Sequence, residues 1–473
     1  MFELLAHQKE GLDFLSENRR AFVADEPGTG KTAIVLRALA SSERPSLVAC
    51  KAALRENFRK EIELWVPGAK TQILMNPDEI DTTADFVVCG YKTLGDRSKD
   101  LAQRKFEGGI AFDESHYLKT EKAQRSVGAL RVARTIPKDG FIIAASATPG
   151  VSRPSELLMQ FKILGLLDQV ANSDHHFLYR YCGPKKMKVY QKGKDEDGNQ
   201  NFKMVTQFKG HSNLDELRNL MYDRGLVIRR RKKDVLELPE KHVVEDVLST
   251  DSARWDEYRE IETDFLRWLA KQKPLPEGYE PIAIERMTAM RKCAALSKLP
   301  IITAGAMEFM SETGKPLVVM AHHREVVLEM HERISRRGFR TGIIIGGQTN
   351  KKRFAQTEAF QNGELDIIVC SIEASAEGLT LTAAADLWLA ELPYVPGRLI
   401  QAEDRCHRVG QDREVVVQHI VAKNSIDIRV SQALKAKQQV LNQLFDGEAP
   451  LEDDEHKGET SVFHDVMQSY LSG

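Results

Sequence analysis

The chain has 473 residues, 42% hydrophobic and 29% charged, with a formal net charge of −2. That is the make-up of an ordinary soluble protein of roughly two to four domains, and a charge near zero excludes whole-molecule attraction to nucleic acid, leaving only local patches for it. The six cysteines (Cys50, Cys89, Cys182, Cys293, Cys370, Cys406) show no CxxC spacing, and neither a signal peptide nor a bilayer-spanning apolar run is expected, nor are disulfides or structural zinc, which fits a reducing compartment.

In chain order, the first strong signal is the apolar run Ala21–Ala24 followed by DEPGTGKT, Asp25 to Thr32. In such a loop Gly28 and Gly30 let backbone N–H groups wrap a triphosphate, and the next helix adds its positive end. Lys31 is placed to reach the β- and γ-phosphates and the Thr32 hydroxyl to ligate magnesium; Asp25, Glu26, Pro27 and Thr29 complete the loop. The strict pattern has glycine where this chain has Asp25, and the form that fits is AxxxGxGKT from Ala24.

Short runs that are apolar throughout then recur at Ser46 (SLVAC), Phe86 (FVVCG), Gly109 (GIAF) and Phe141 (FIIAAS). Without alternation they read as strands of a parallel sheet covered on both faces. The third ends in Asp113-Glu114-Ser115-His116. An acidic pair at a strand end suits a magnesium-bound triphosphate, with Asp113 holding the metal through water and Glu114 orienting and deprotonating the attacking water. Taken with the loop, the pair reads as an NTPase.

Residues from about Val151 to Pro300 are helical and charge-rich in pattern, with a long amphipathic stretch from Ser252 to about Gln272. Within this region, Tyr181 to Ser212 reads as two strands around a polar turn at Asp195–Asn199, with lysines including Lys186 and Lys188 along the arms. It is either a basic hairpin for a DNA groove or junction, or a solvated hairpin whose lysines protect its edges. A second set of apolar runs follows at Pro316, Thr341, Leu365, Asp386 and Val415. The fold class expected is therefore α/β, with two doubly wound parallel-sheet lobes and helical protrusions between them.

The second lobe carries LIQAEDRCHRVGQ, Leu399 to Gln411. Arg405 and Arg408 lie three apart, so on a helix they share one face and suit an arginine finger for the γ-phosphate held by the other lobe. Beyond it, Asp446 to Glu459 is acidic and reads as a disordered linker. Val462, Phe463, Val466, Met467, Tyr470 and Leu471 then form an apolar stripe, which either docks on the chain itself or binds a protein partner.

DEPGTGKT, DESHYLK, SATPG (Ser146 to Gly150) and QAEDRCHRVGQ, in this order, resemble the superfamily-two helicase-like ATPases of the Swi/Snf family. LVVMAHHREVV, EGLTLTAAADLWLAEL and PGRLIQAEDRCHRVGQ are similar to its annealing-helicase, fork-remodelling branch, and GLVIRRRKKDVLELPEK (Gly225 to Lys241) is similar to the family's arginine-rich segment, expected to pack with partial DNA contact. The resemblance runs from His7 to about Leu444 and implies RecA-like lobes at 1–155 and 301–445, protrusions at 156–300 and a tail at 446–473. It implies ATP and Mg2+ as cofactors, with adenine read by Gln8 and the cleft completed by Gln401, Arg405 and Arg408, the last being the expected finger. Coupling falls to Ser146, Ala147, Thr148, Glu377 and Gly378. DNA contact falls to Lys51, Tyr91, Lys92 and Thr93 in the first lobe, and to Gly346, Gly347 and Gln348 in the second.

The activity implied is translocation along double-stranded or forked DNA. A polymerase- or RNA-directed ATPase and a non-catalytic binding protein stand as alternatives. No appended recognition module is seen, so a stripped, monomeric motor is expected, in the cytoplasm of a bacterial or phage-infected cell or in a eukaryotic nucleus.

Overall fold

The computed structural model describes residues 3–149, 153–194, 200–208, 210–250, 253–271, 280–375, 379–448 and 462–472. The chain divides into two units, the first made of Met1–Pro184, Phe208–Glu237 and Gln439–Glu452, the second of Lys185–Gln207, Leu238–Gln438 and Asp453–Gly473.

Unit 1 contains β1 (Arg20–Val23), β2 (Ser46–Cys50), β3 (Thr71–Leu74), β4 (Phe86–Gly90), β5 (Gly109–Asp113) and β6 (Phe141–Ala145). A hairpin, β7 (Lys185–Lys194) and β8 (Gln200–Gln207), comes next in the chain and is counted with unit 2, and β9 (Val227–Ile228) returns to unit 1. The sheet of unit 1 is parallel throughout, in the order β3-β4-β2-β5-β6-β1-β9. Its strands are apolar throughout because both faces are covered: Leu47 and Ala49 of β2 join one core, Val48 and Cys50 the other. Helices Lys31–Ala40 and Arg55–Trp65 supply Ile34, Phe58 and Ile62 to one face, while Gln124–Ala133 and Leu158–Leu164 supply Val132 and Phe161 to the other. Parallel order brings the carboxyl ends of neighbours β1, β6 and β5 to the same edge, the edge at which open α/β sheets bind ligands.

Unit 2 contains β10 (Lys241–Leu248), β11 (Leu317–Ala321), β12 (Thr341–Ile344), β13 (Ile367–Ser371), β14 (Asp386–Leu389) and β15 (Val415–Ala422), parallel in the order β10-β15-β14-β11-β13-β12. The region expected to be helical up to residue 300 thus includes an edge strand, β10. Paired on one side only, β10 leaves Val243, Val244 and Val247 about half exposed, so KHVVEDVL has neither the continuous apolar run of a central strand nor a clean alternation. Helices Ala253–Lys271 and Glu280–Thr313 pack through Tyr258, Phe265 and Leu269 against Ala283, Met287 and Met290.

By length and composition Pro281–Thr313 would also pass for a membrane span, which the apolar-run reading of the sequence did not register. Here it is a core helix: Arg291, Ser297, Lys298 and Thr303 are buried on it. The ammonium of Lys298 donates to the carbonyls of Ala390 and Ile420 (both 2.7 Å) and to Asp427 Oδ2 (2.6 Å).

The C-terminal stripe forms helix Val462–Ser472, which buries Val462, Val466, Met467 and Tyr470 in the same core as Phe265 and Val430. Tyr470 donates to Glu262 Oε1 (2.8 Å), and Arg429 both donates to the Ser469 carbonyl (2.8 Å) and stacks over the Tyr470 ring at 4.1 Å.

Candidate active site

The loop after β1 is shaped by two glycines with positive φ, Gly28 (80°) and Gly30 (85°). A side chain at Gly30 would be strained by that φ, and its Cβ, 2.1 Å from Gln8 Nε2, would push the glutamine off the loop. The helix Lys31–Ala40 starts directly behind it and places Thr32 in its first turn. His7 Nε2 (2.8 Å) and Gln8 Nε2 (3.3 Å) donate to the Thr29 carbonyl, and Thr29 Oγ1 donates to the Glu26 carbonyl (2.9 Å). Gln8 is therefore fastened to the loop it was expected to serve. Lys31 Nζ donates to the carbonyls of Asp25 (2.8 Å) and Glu26 (2.9 Å); burial lowers its pKa, and the charges of Asp25, Glu114 and Asp113 act against that.

The departure at Asp25 has a structural reason. Its carboxylate is wholly buried and accepts from the backbone N–H (2.9 Å) and Nε (3.1 Å) of Arg230, with a further contact to the guanidinium. Arg230 also donates to the His7 carbonyl. Its neighbour Arg229 donates to the carbonyls of Ala24 (2.8 Å) and Ala147 (3.1 Å) and pairs with Asp446 (2.7 Å). The Lys232 amide donates to Glu26 Oε2 (2.7 Å). The arginine-rich segment, expected to pack with partial DNA contact, thus clamps the phosphate loop of unit 1. Sequence reasoning assigned Arg229, Arg230 and Asp446 no role in this site; the one available signal was an aspartate in a buried loop, which needs a cation.

β5 delivers the acidic pair to the same edge. Asp113 is raised to about 7 by burial and by the Glu114 charge beside it. For Glu114 burial acts upward, but the hydrogen bond from His116 and the charges of His116, Lys51 and Lys31 hold it down at about 2. Glu114 sits in the left-handed region (φ 52°), strain of a kind that clusters at functional sites. Ser146, at the end of β6, joins them: its Oγ lies 3.4 Å from Glu114 Oε2, 3.1 Å from His116 Nδ1, and accepts from the Thr148 amide (3.2 Å). Ser146, Ala147 and Thr148 are all buried. A divalent cation fits this donor set: Thr32 stands in the helix turn behind the glycine cradle, the Asp113 carboxyl lies within charge range of Lys31, and a carboxyl held near 7 gains from a neighbouring positive charge.

Tyr91 is one of the expected DNA contacts in unit 1. It is buried, with its hydroxyl donating to the Asp113 carbonyl (2.6 Å) and its ring stacked on Tyr117 at 5.6 Å, so it supports the acidic pair. Thr93 is likewise buried. Lys92 is exposed and pairs with Asp96, and Lys51 lies 5.4 Å over the Tyr117 ring.

In unit 2, helix Pro396–Glu403 carries buried Gln401 and ends before the two arginines. Arg405 and Arg408 lie in the turns that follow, not on a shared helical face. The Arg405 carbonyl is taken by the Leu381 amide (2.9 Å), and Gly410 has a φ of 98°. Their guanidiniums nevertheless converge, both donating to the Leu379 carbonyl (3.3 and 3.2 Å). Glu377 and Gly378 lie outside the described residues. Gly347 has a φ of 85° with open space at its Cβ position, and the Gln348 amide is engaged with Ile345 N (3.1 Å) and the Ile343 carbonyl (3.2 Å). Lys186 is exposed on the hairpin; the Lys188 side chain and the turn at 195–199 lie outside the described residues.

A profile of the SNF2-related domain matches residues 7–297, and one of the helicase conserved C-terminal domain matches residues 292–410. The chain is 30% identical over 457 residues to the Caenorhabditis elegans homolog of SWI/SNF-related matrix-associated actin-dependent regulator of chromatin subfamily A-like protein 1, covering 93% of this chain and 62% of that protein. It is 30% identical over 459 residues to the human DNA annealing helicase and endonuclease ZRANB3, covering 94% of this chain and 40% of that protein. The chain thus spans less than two thirds of these relatives. Among solved structures, the Sulfolobus solfataricus SWI2/SNF2 ATPase core in complex with dsDNA is similar at 18% identity and a TM-score of 0.43, over 94% of this chain and 93% of that one.

Proposed function

Because the chain belongs to the SNF2-related family, we propose that it is an ATP-driven translocase on double-stranded DNA, acting at forks, junctions or protein–DNA complexes. The observation that carries this is the convergence of the glycine cradle, the Asp113-Glu114 pair and Ser146 at the ends of β1, β5 and β6. The names of the relatives, a DNA annealing helicase and a regulator of chromatin, support DNA as the track.

In this reading the loop amides and Lys31 would hold the ATP phosphates, and Thr32 with Asp113 would hold Mg2+, which would supply positive charge against that developing on the phosphates. Glu114, held ionised, orients the attacking water and accepts its proton. Ser146, bonded to that pair and to Thr148, reports the state of the site to the segment expected to meet nucleic acid. Arg405 and Arg408, whose guanidiniums converge on the Leu379 carbonyl, carry the charge an arginine finger needs, an effect of about 10³–10⁵ in rate where it has been measured.

The test is displacement of a third strand from a DNA triplex. The chain displaces it with ATP, and Lys31→Ala does not. DNA-stimulated hydrolysis without displacement contradicts translocation.

A further inference from the structure

Glu391 stands two residues past the end of β14 and is buried. Its carboxylate accepts three hydrogen bonds from two adjacent residues. Oε2 takes the amides of His322 (2.9 Å) and His323 (2.8 Å), and Oε1 takes Nδ1–H of His323 (2.6 Å). Those amides precede helix Arg324–Ser335, for which His323 is the N-cap. Burial acts to raise the Glu391 pKa, but the His323 hydrogen bond and the charges of His323 and Arg291 hold it at about 2, so it is an anion at working pH.

Contacts leave this carboxylate in two directions. On one side, Arg324 follows His323 and donates to the Gly346 carbonyl (3.1 Å), in the glycine turn after β12. On the other, the Leu392 carbonyl accepts from buried Arg291, whose guanidinium lies 4.1 Å from the Tyr394 ring centroid. Two residues past Tyr394 starts the helix that carries Gln401 and leads to Arg405 and Arg408.

Capping a helix needs one or two acceptors, and a neutral side chain serves. A buried charge held by three donors costs more to install, and it sits beside two buried atoms without a hydrogen-bond partner among the described residues: His322 Nδ1 and His323 Nε2. The two imidazoles stand at 89° with centroids 5.1 Å apart. Such unmet capacity in a packed polar cluster lets it re-pair, and coupling between sites needs an element with a second arrangement.

We propose that Glu391 is a positioning residue that couples the segment bearing Gln401, Arg405 and Arg408 to the turn bearing Arg324 and Gly346, so that DNA contact at one end changes ATP turnover at the other. The role rests on the translocase reading. Glu391→Gln keeps the shape but turns an amide N–H₂ toward His323, forcing the imidazole to accept at Nδ1 and to bury an N–H at Nε2.

The experiment compares ATP hydrolysis with and without duplex DNA, across DNA concentration, for the unaltered chain, Glu391→Gln, His323→Asn and His323→Leu, with thermal unfolding of each. Asparagine keeps a donor near the Nδ1 position and leucine does not. The role predicts that Glu391→Gln and His323→Leu, assayed at a temperature where each is still folded, lose about tenfold of their stimulation at saturating DNA, while His323→Asn keeps it. Stimulation of Glu391→Gln within twofold of the unaltered chain overturns the role. Should Glu391→Gln not fold, equal stimulation of the two His323 variants overturns it, and retention by asparagine alone upholds it. An unaltered chain that DNA does not stimulate overturns the translocase reading, and the coupling role with it.

Discussion

Arg230 donates both its backbone amide and its side chain to the buried carboxylate of Asp25, 205 residues earlier in the chain. The pair closes unit 1 around the phosphate loop, at the position where the general loop pattern has glycine. An exchange of a small residue for a buried anion persists only where a cation answers it.

Asp25→Ala leaves the Arg230 guanidinium buried against the loop, and Arg230→Met leaves Asp25 without its cation. Each is expected to destabilise unit 1 by about 3–5 kcal/mol, and the double variant by clearly less than their sum. Denaturant unfolding of the four proteins checks this. Additive losses contradict the coupling.

Glu114→Gln removes the proton acceptor while keeping the side-chain volume beside Ser146 and His116. ATP binding is expected to persist while single-turnover hydrolysis falls by about 10²–10⁴. Fluorescent-nucleotide binding and rapid-quench assays separate the two. Hydrolysis at the unaltered rate removes Glu114 from the chemistry.

The C-terminal helix is expected to contribute to the stability of unit 2. Tyr470→Phe deletes the hydrogen bond to Glu262 and should cost about 1.5–3 kcal/mol. Tyr470→Ala also empties a core position and should cost about 3–5 kcal/mol. Hydrogen exchange over Ala253–Lys271 reads the loss where the helix docks. Unchanged protection in both variants contradicts the docking.

Unit 2 should weaken in acid through two carboxylates. Glu391 and Glu403 are lowered from an ordinary 4.5 to about 2; for Glu403 the opposing effects are burial, which acts upward, and the Lys241 charge and His419 hydrogen bond, which win. A depressed folded pKa means stabilisation that is full above 4.5 and is lost as pH falls toward 2. Thermal unfolding between about pH 5 and about pH 3 should show this fall, and Glu403→Gln should flatten it. A melting temperature independent of pH in that window contradicts the assignment.

What was legible in the sequence was what is contiguous. The loop at Asp25–Thr32, the acidic pair and the apolar runs of both central sheets each carry their signal within a few neighbouring residues, and all appear as expected. Arg229 and Arg230 were not legible as loop clamps because their partners lie about two hundred residues away. Tyr91 stands in a stretch whose family role is DNA contact, and only the fold shows its hydroxyl turned inward to Asp113. The three-residue spacing of Arg405 and Arg408 implied a helix, whereas turns bring them together on the Leu379 carbonyl. β10 escaped because an edge strand needs no buried face on both sides.

The central claim, a DNA-driven ATPase built on this site, is tested most directly by hydrolysis measured with no nucleic acid, single-stranded DNA, plain duplex, forked duplex and RNA, with Lys31→Ala as the blank. Strong stimulation by duplex, greatest with a fork, is the predicted result. Stimulation by RNA alone, or rates no higher than the blank on every substrate, would contradict it.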